Sequence, residues 1–372
     1  MSPATLFNSP LFGPNTAKTT WWHPLGDGRI QCDVCPRHCR LHEGQRGLCF
    51  VRARENNEIV STTYGRSSGY CLDPIEKKPL NHFLPGTSVL SFGTAGCNLT
   101  CRYCQNWDIS KSRDIDTLAD SAMPETIAET ASQVGARSVA FTYNDPVIFG
   151  EYMVDTAVAC RQKGIATVAV TAGYISAGAR EEFFAPIDAA NVDLKGFTDE
   201  YYHKVVGGKL QPVLDTITWL VNESPTWVEL TTLVVPGYND TDEDLDRMTR
   251  WVVSELGPDV PMHFSAFHPD YKMLDVARTP PQALHRARTI ARENGVRHAY
   301  TGNISDREGD STYCPSCARP VIVRDWYAII DYSLDDSGHC TSCGEKIPGV
   351  FAGPAGTWGR RRQPVIIGEG IA

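Results

Sequence analysis

The sequence predicts an α/β fold: a full or partial TIM-like (β/α) barrel flanked by small N-terminal and C-terminal cysteine-rich metal modules. Three observations carry that expectation. From about Val89 to Ile304, apolar strand-like runs alternate with amphipathic helix-like stretches, the pattern of parallel strands joined by helical crossovers. The 13 cysteines fall, all but Cys71 and Cys160, into clusters before, within and after that region. A chain of 372 residues is long enough for one large domain with one or two small modules. The expected boundaries are a mobile or draped N-terminus over 1–20, a cysteine-rich segment over 21–85, the barrel over 86–305, a ribbon over 306–352 and a tail over 353–372.

The N-terminal segment carries Cys32-Asp33-Val34-Cys35-Pro36-Arg37-His38-Cys39 and then Cys49. This C-x2-C-x3-C-x9-C set offers enough thiolates for a closed four-coordinate site. Zinc and a second iron–sulfur cluster both suit it, and His38 and His42 add ligand ambiguity. The barrel strands are expected at Val89–Phe92, Ser138–Thr142, Ala166–Thr171, Ala190–Leu194, Trp227–Val235, Met262–Phe267 and His298–Tyr300. Helices are expected at Glu125–Val134, Gly150–Lys163, Asp242–Glu255 and Pro281–Asn294. Pro124 stands at a first helical position, and Asp240-Thr241-Asp242-Glu243 offers a cap followed by first-turn acids. After the barrel, Cys314-Pro315-Ser316-Cys317 and Cys340-Thr341-Ser342-Cys343 flank β-rich sequence and read as a zinc ribbon, with rubredoxin-like iron the alternative. Arg360-Arg361-Arg362 reads as a solvated charge run.

Hydrophobic residues make up 42% and charged residues 21%, an ordinary globular composition. A net charge of −9 argues against nucleic-acid or anionic-membrane partners. The start, Met1-Ser2-Pro3-Ala4-Thr5, has no basic and apolar leader, and nowhere do about 18 apolar residues run together. A cytoplasmic setting is therefore expected, in which clustered cysteines bind metal rather than pair as disulfides.

The chemistry centres on Gly96-Cys97-Asn98-Leu99-Thr100-Cys101-Arg102-Tyr103-Cys104, directly after the first barrel strand. Cys97, Cys101 and Cys104, spaced C-x3-C-x2-C, can hold three irons of a [4Fe–4S] cluster and leave the fourth open. A structural zinc would want a fourth ligand that the loop lacks. An open iron can chelate the amino and carboxylate groups of S-adenosylmethionine (SAM) and cleave it by one-electron reduction.

This spacing, with the aromatic Tyr103 before the third cysteine, resembles the radical SAM superfamily. The early cysteine segment, Leu72-Asp73-Pro74-Ile75-Glu76-Lys77-Lys78-Pro79-Leu80, the continuation Gln105-Asn106-Trp107, and Phe267-His268-Pro269-Asp270-Tyr271 narrow it. Together they are similar to the radical SAM member of the AmmeMemoRadiSam system, a branch related to pyruvate formate-lyase activating enzymes. The resemblance covers roughly residues 32–350. It implies a [4Fe–4S] cluster, SAM and a low-potential electron donor, and points to Memo-like and AMMECR-domain proteins as partners. It places Thr142-Tyr143-Asn144-Asp145 where the superfamily holds the SAM amino group, with Asn144 and Asp145 as candidates. Asp145 could equally start a turn. His268 matches a strand-end histidine that contacts the SAM ribose in glycyl-radical-enzyme activases. Alternation along the fourth strand puts Asp193 and Lys195 on one face, as a clamp for SAM or as a plain ion pair. The function expected is radical hydrogen abstraction from an unidentified substrate; the alternatives are a glycyl-radical activase and a non-catalytic metal scaffold.

Overall fold

The structure, a computed structural model, describes residues 15–111 and 120–367. Strands are numbered β1 (Tyr70–Pro74), β2 (Ser88–Phe92), β3 (Ser138–Phe141), β4 (Ala166–Thr171), β5 (Ala189–Asp193), β6 (Trp227–Val234), β7 (Met262–Ala266), β8 (Ala299–Gly302), β9 (Pro320–Asp325), β10 (Ala328–Tyr332) and β11 (Gln363–Val365). Nine of them form one sheet in the order β8-β7-β6-β5-β4-β3-β2-β1-β11. From β2 to β8 every neighbouring pair is parallel, whereas β1 and β11 join antiparallel. Among the described residues each parallel step passes through one helix of eight or more residues: α1 (Pro124–Gln133), α2 (Gly150–Gln162), α3 (Ala177–Phe184), α4 (Gln211–Glu223), α5 (Asp242–Leu256) and α6 (Pro281–Glu293). Among the described residues β8 does not pair with β11, so the sheet stays open and the full-barrel alternative falls away.

Local chemistry explains these elements. β2 and β3 are buried at every position, as expected of parallel strands covered on both faces. Pro124 and Pro281 occupy the first turns of α1 and α6, where a missing N–H costs nothing. The Thr241 hydroxyl accepts from the Asp244 amide at 3.1 Å and caps α5, ahead of Asp242, Glu243 and Asp244 in its first turn.

The flanks are more structured than composition suggests. Residues 1–14 and 368–372 lie outside the described residues, but Ala17–Lys18 pairs with Ser61 and Val60. Trp22–Pro24, Ile30–Cys32 and Arg40–Leu41 form a second small sheet in the cysteine-rich segment. At the other end, Thr312–Tyr313, β9 and β10 make a three-stranded sheet around a core that includes Val321, Ile322, Leu334 and Ile347. It is stitched to the segment before β2. The Arg324 guanidinium donates to the Asn81 carbonyl at 2.6 Å, and Leu84 and Val350 share a backbone hydrogen bond of 2.9 Å. Gly86, at φ +75°, lies where an added Cβ would come within 2.3 Å of the Gly356 carbonyl oxygen, so only glycine fits. The expected tail also departs from its description: Gln363–Val365 completes the sheet as β11, antiparallel to β1.

Candidate active site

Beyond the C-terminal ends of the parallel strands lies a cavity of about 540 Å³. The loop after β2 supplies Cys97, Cys101, Tyr103 and Cys104 to its wall. That loop is held from several sides. The Asn98 amide donates to the Tyr174 carbonyl at 3.0 Å, and the backbone amides of Thr100 and Arg102 donate to Val206 and Val205 at 3.0 and 2.9 Å. The Lys111 ammonium donates to the Leu99 carbonyl at 2.8 Å. Burial pushes the Cys97 thiol up to about 12 and raises Cys101 as well, so both would be neutral until a metal's charge compensates. Three soft donors facing one cavity, Cys101 buried and Cys97 and Cys104 half-buried, fit an iron–sulfur cluster, and the donor set leaves room for a ligand on the remaining iron.

The other expected residues fall into distinct roles. Asn144 lines the cavity, yet its amide N–H groups donate to the carbonyls of Thr94 and Gly96 at 2.7 and 2.9 Å. These bonds brace the cysteine loop. Asp145 is similarly engaged: it accepts from Val147 N at 3.1 Å, Thr171 Oγ1 at 2.9 Å and Ala172 N at 3.1 Å. Burial raises its pKa despite those bonds. The bond from Val147 N is that of a turn start, and Asp145 also lines the cavity. Asp193 and Lys195 meet at 2.8 Å on the cavity wall. Desolvation opposes the lysine's charge, but the Asp193 carboxylate outweighs it and holds the ammonium protonated. His268 is not among the lining residues; it sits about half-exposed at the rim, where its Nδ1 meets Gln105 Nε2 at 2.8 Å.

The opposite wall was not anticipated. Asp73 accepts from Lys77 and Lys78 at 2.7 and 2.8 Å, and Tyr143, at φ +73°, donates its hydroxyl to Asp73 at 3.3 Å. Lys77, Lys78 and Tyr143 line the cavity, joined by Arg324 and Tyr327 from the β9–β10 sheet and by Arg362 from the residues before β11. The Arg362 guanidinium approaches Cys71 Sγ at 3.4 Å. Glu76, deeply buried on this side, has its pKa pushed up to about 7 by desolvation, partly offset by Arg324. The one available signal was the quoted stretch around Asp73-Pro74-Ile75-Glu76-Lys77-Lys78; nothing local marked Arg324 or Arg362 as neighbours of it.

Away from the cavity, Cys314, Cys317, Cys340 and Cys343 bring their sulfurs within 4.8 Å of one another. The Cys314–Cys343 and Cys317–Cys340 separations are 3.5 and 3.8 Å. Tetrahedral zinc with Zn–S of ~2.3 Å calls for sulfurs about 3.8 Å apart.

Comparison with known proteins places this architecture. Residues 92–252 match the model of the Radical SAM superfamily. An uncharacterized protein of Methanocaldococcus jannaschii is 41% identical over 329 residues, spanning 88% of this chain and 97% of that protein. The pyruvate formate-lyase 1-activating enzyme of Escherichia coli is 25% identical over 44% of this chain and 68% of its own. The 4-hydroxyphenylacetate decarboxylase activating enzyme of Clostridioides difficile is 24% identical over 57% of this chain and 67% of its own.

Proposed function

Because the chain belongs to the family of the Methanocaldococcus jannaschii protein and carries a radical SAM superfamily domain, we propose that it reductively cleaves SAM at a [4Fe–4S] cluster held by Cys97, Cys101 and Cys104. The observation that carries this reading is a single cavity shared by those three thiols and the Asp193–Lys195 pair. When bound and reduced, the cluster supplies one electron to SAM and so yields a 5′-deoxyadenosyl radical that abstracts hydrogen from a substrate.

This chain's own residues bind and orient. Lys195 presents a fixed positive charge suited to the SAM carboxylate, and Asp193 keeps it protonated and aimed. Asn144 and Asp145 hold the loop and the turn beside it. Tyr103, 4% exposed, lines the cavity beside the third cysteine and excludes water. His268, through Gln105, is placed to meet a ligand at the rim. The far wall of Lys77, Lys78, Arg324 and Arg362 forms the substrate side. The C-terminal four cysteines take zinc. The proposed setting is cytoplasmic, with a low-potential electron donor and with Memo-like and AMMECR-domain partners as in the AmmeMemoRadiSam system.

The similarity to activating enzymes favours a second reading, in which the hydrogen comes from a glycine of a partner enzyme. The residues after 305 that wall the cavity weigh against a bare activase. The test is anaerobic reconstitution followed by a SAM-cleavage assay. Release of 5′-deoxyadenosine that disappears in the Cys97→Ala/Cys101→Ala/Cys104→Ala variant is expected; cleavage surviving in that variant would refute the reading.

A further inference from the structure

The four N-terminal cysteines play no part in the site above. Cys32, Cys35 and Cys49 are buried and Cys39 is half-buried, and all four line one small cavity of their own. Arg52 lines it too. Its side chain is 1% exposed, with Nε donating to the Ile148 carbonyl at 3.1 Å and Nη2 to Glu151 at 2.7 Å. Its Nη1 is buried and has no hydrogen-bond partner among the described residues. A guanidinium nitrogen left without an acceptor in the interior is expensive, and it points to an anionic occupant.

Spacing separates the two metals that such a quartet could take. Among the described residues, the C-terminal quartet is the one group of three or more metal-type side chains gathered within 4.8 Å. The N-terminal sulfurs instead stand around a void. Zinc draws its four sulfurs to about 3.8 Å from one another. A cubane holds its thiolates farther apart, because irons and sulfides lie between them.

Position supplies the third argument. Asn98, between two cysteines of the catalytic loop, lines this same cavity. Arg37, also on its wall, donates to the Asn98 carbonyl at 2.8 Å. A Cβ on Gly96 would fall 2.0 Å from the Cys49 carbonyl oxygen, so the two cysteine segments meet backbone to backbone.

We propose that Cys32, Cys35, Cys39 and Cys49 ligate a second [4Fe–4S] cluster, complete with four thiolates, which shares a wall with the Cys97–Cys104 loop. Full coordination leaves no iron open, so this cluster's chemistry is one-electron transfer. A low-potential donor is oxidised by one electron; the second cluster takes that electron, passes it to the cluster of the catalytic loop, and returns to its starting state. The relay rests on the SAM-cleaving reading of the preceding subsection, whereas the metal content does not.

The metal content is tested on the full chain, purified anaerobically, by iron, acid-labile sulfide and zinc analysis with electron paramagnetic resonance of the reduced protein. The Cys97→Ala/Cys101→Ala/Cys104→Ala variant is expected to keep about half the wild-type iron and sulfide, with a reduced-cluster signal that does not respond to SAM. Complete loss of iron, with two zinc per chain in variant and wild type alike, would overturn the assignment. The converse Cys32→Ser/Cys35→Ser variant, which guards against a misfolded first variant, should lose the SAM-insensitive signal and keep the other. Retention of all its iron would equally overturn the proposal. For the relay, SAM cleavage driven by a reduced flavodoxin should fall at least about tenfold in Cys32→Ser/Cys35→Ser. An unchanged rate there would sink the relay while the iron analysis still decides the site.

Discussion

Lys195 shows how a single side chain can separate binding from scaffolding. It lies 2.8 Å from Asp193, with its side chain 15% exposed, and although its charge reaches Cys101, among the described residues its ammonium makes no hydrogen bond to the cysteine loop. Lys195→Ala should therefore leave the iron content unchanged and weaken SAM binding roughly ten- to a hundredfold, the worth of a charge-assisted hydrogen bond of ~1.5–3 kcal/mol. Equilibrium binding of SAM checks this; wild-type affinity would return Lys195 to a plain ion pair. Glu76 makes a different prediction. Its folded pKa is raised from 4.5 to about 7, mainly by burial. A carboxyl raised on folding contributes stability that is full below its unfolded pKa and is lost as the pH rises through its folded one. Between pH 4.5 and 7, wild type should thus lose stability relative to Glu76→Gln, by at most about 3 kcal/mol. Gln keeps an oxygen for the Gly86 amide, which Glu76 now serves at 2.7 Å. Urea midpoints of the two proteins at pH 5 and pH 8 test it, and parallel pH profiles would count against it.

Among elements, legibility followed the range of the forces that make them. The seven parallel strands were readable because each is a short apolar run buried on both faces; Ala166–Thr171 was delimited to the residue. α3 and α4 went unnamed. α3, Ala177–Phe184, has only eight residues and no side-chain cap, so its pattern is too short to stand out. β1 went unnamed because Asp73 and Pro74 break its apolar pattern, whereas the strand is fixed by β2 on one side and β11 on the other. Asn144 illustrates the same limit within the site. Its position at a strand end was visible, but its bonds to Thr94 and Gly96, some 50 residues earlier, were not. The β9–β10 sheet carries the element-scale prediction. Its own core is small, so the cysteine quartet should supply much of its folding energy once metal is bound. Cys317→Ser/Cys340→Ser in the full chain should lower zinc by about one per chain. It should also open residues 306–352 to protease while the iron clusters persist. Unaltered proteolysis in that variant would show that packing against Asn81–Gly86, not metal, holds the sheet.

At the scale of the molecule, an open parallel sheet raises a problem that a closed barrel avoids: two edges with unpaired backbone groups. The residues after 305 attach at both. On the β8 side, Thr312 Oγ1 meets the Tyr300 hydroxyl at 2.8 Å and takes a bond from Arg324, also 2.8 Å, which ties the β9–β10 sheet to that strand. On the far side, β11 pairs with β1 through Gln363–Leu72, Pro364–Cys71 and Val365–Tyr70. The same stretch brings Arg324, Tyr327 and Arg362 into the cavity wall, so edge protection and site construction are one arrangement. Removing residues 353–372 separates these tasks. The iron content should be retained, because β1 and β2 stay paired without β11. The bared β1 edge should then make the protein associate as its concentration rises, and Tm should fall by several degrees, about 2–4 °C for each kcal/mol lost in a domain of 150–250 residues. Light scattering over a concentration series with a thermal scan measures both. A truncated chain that stays monomeric with an unshifted Tm would mean that β11 is an ornament on an edge already protected by β1's own residues.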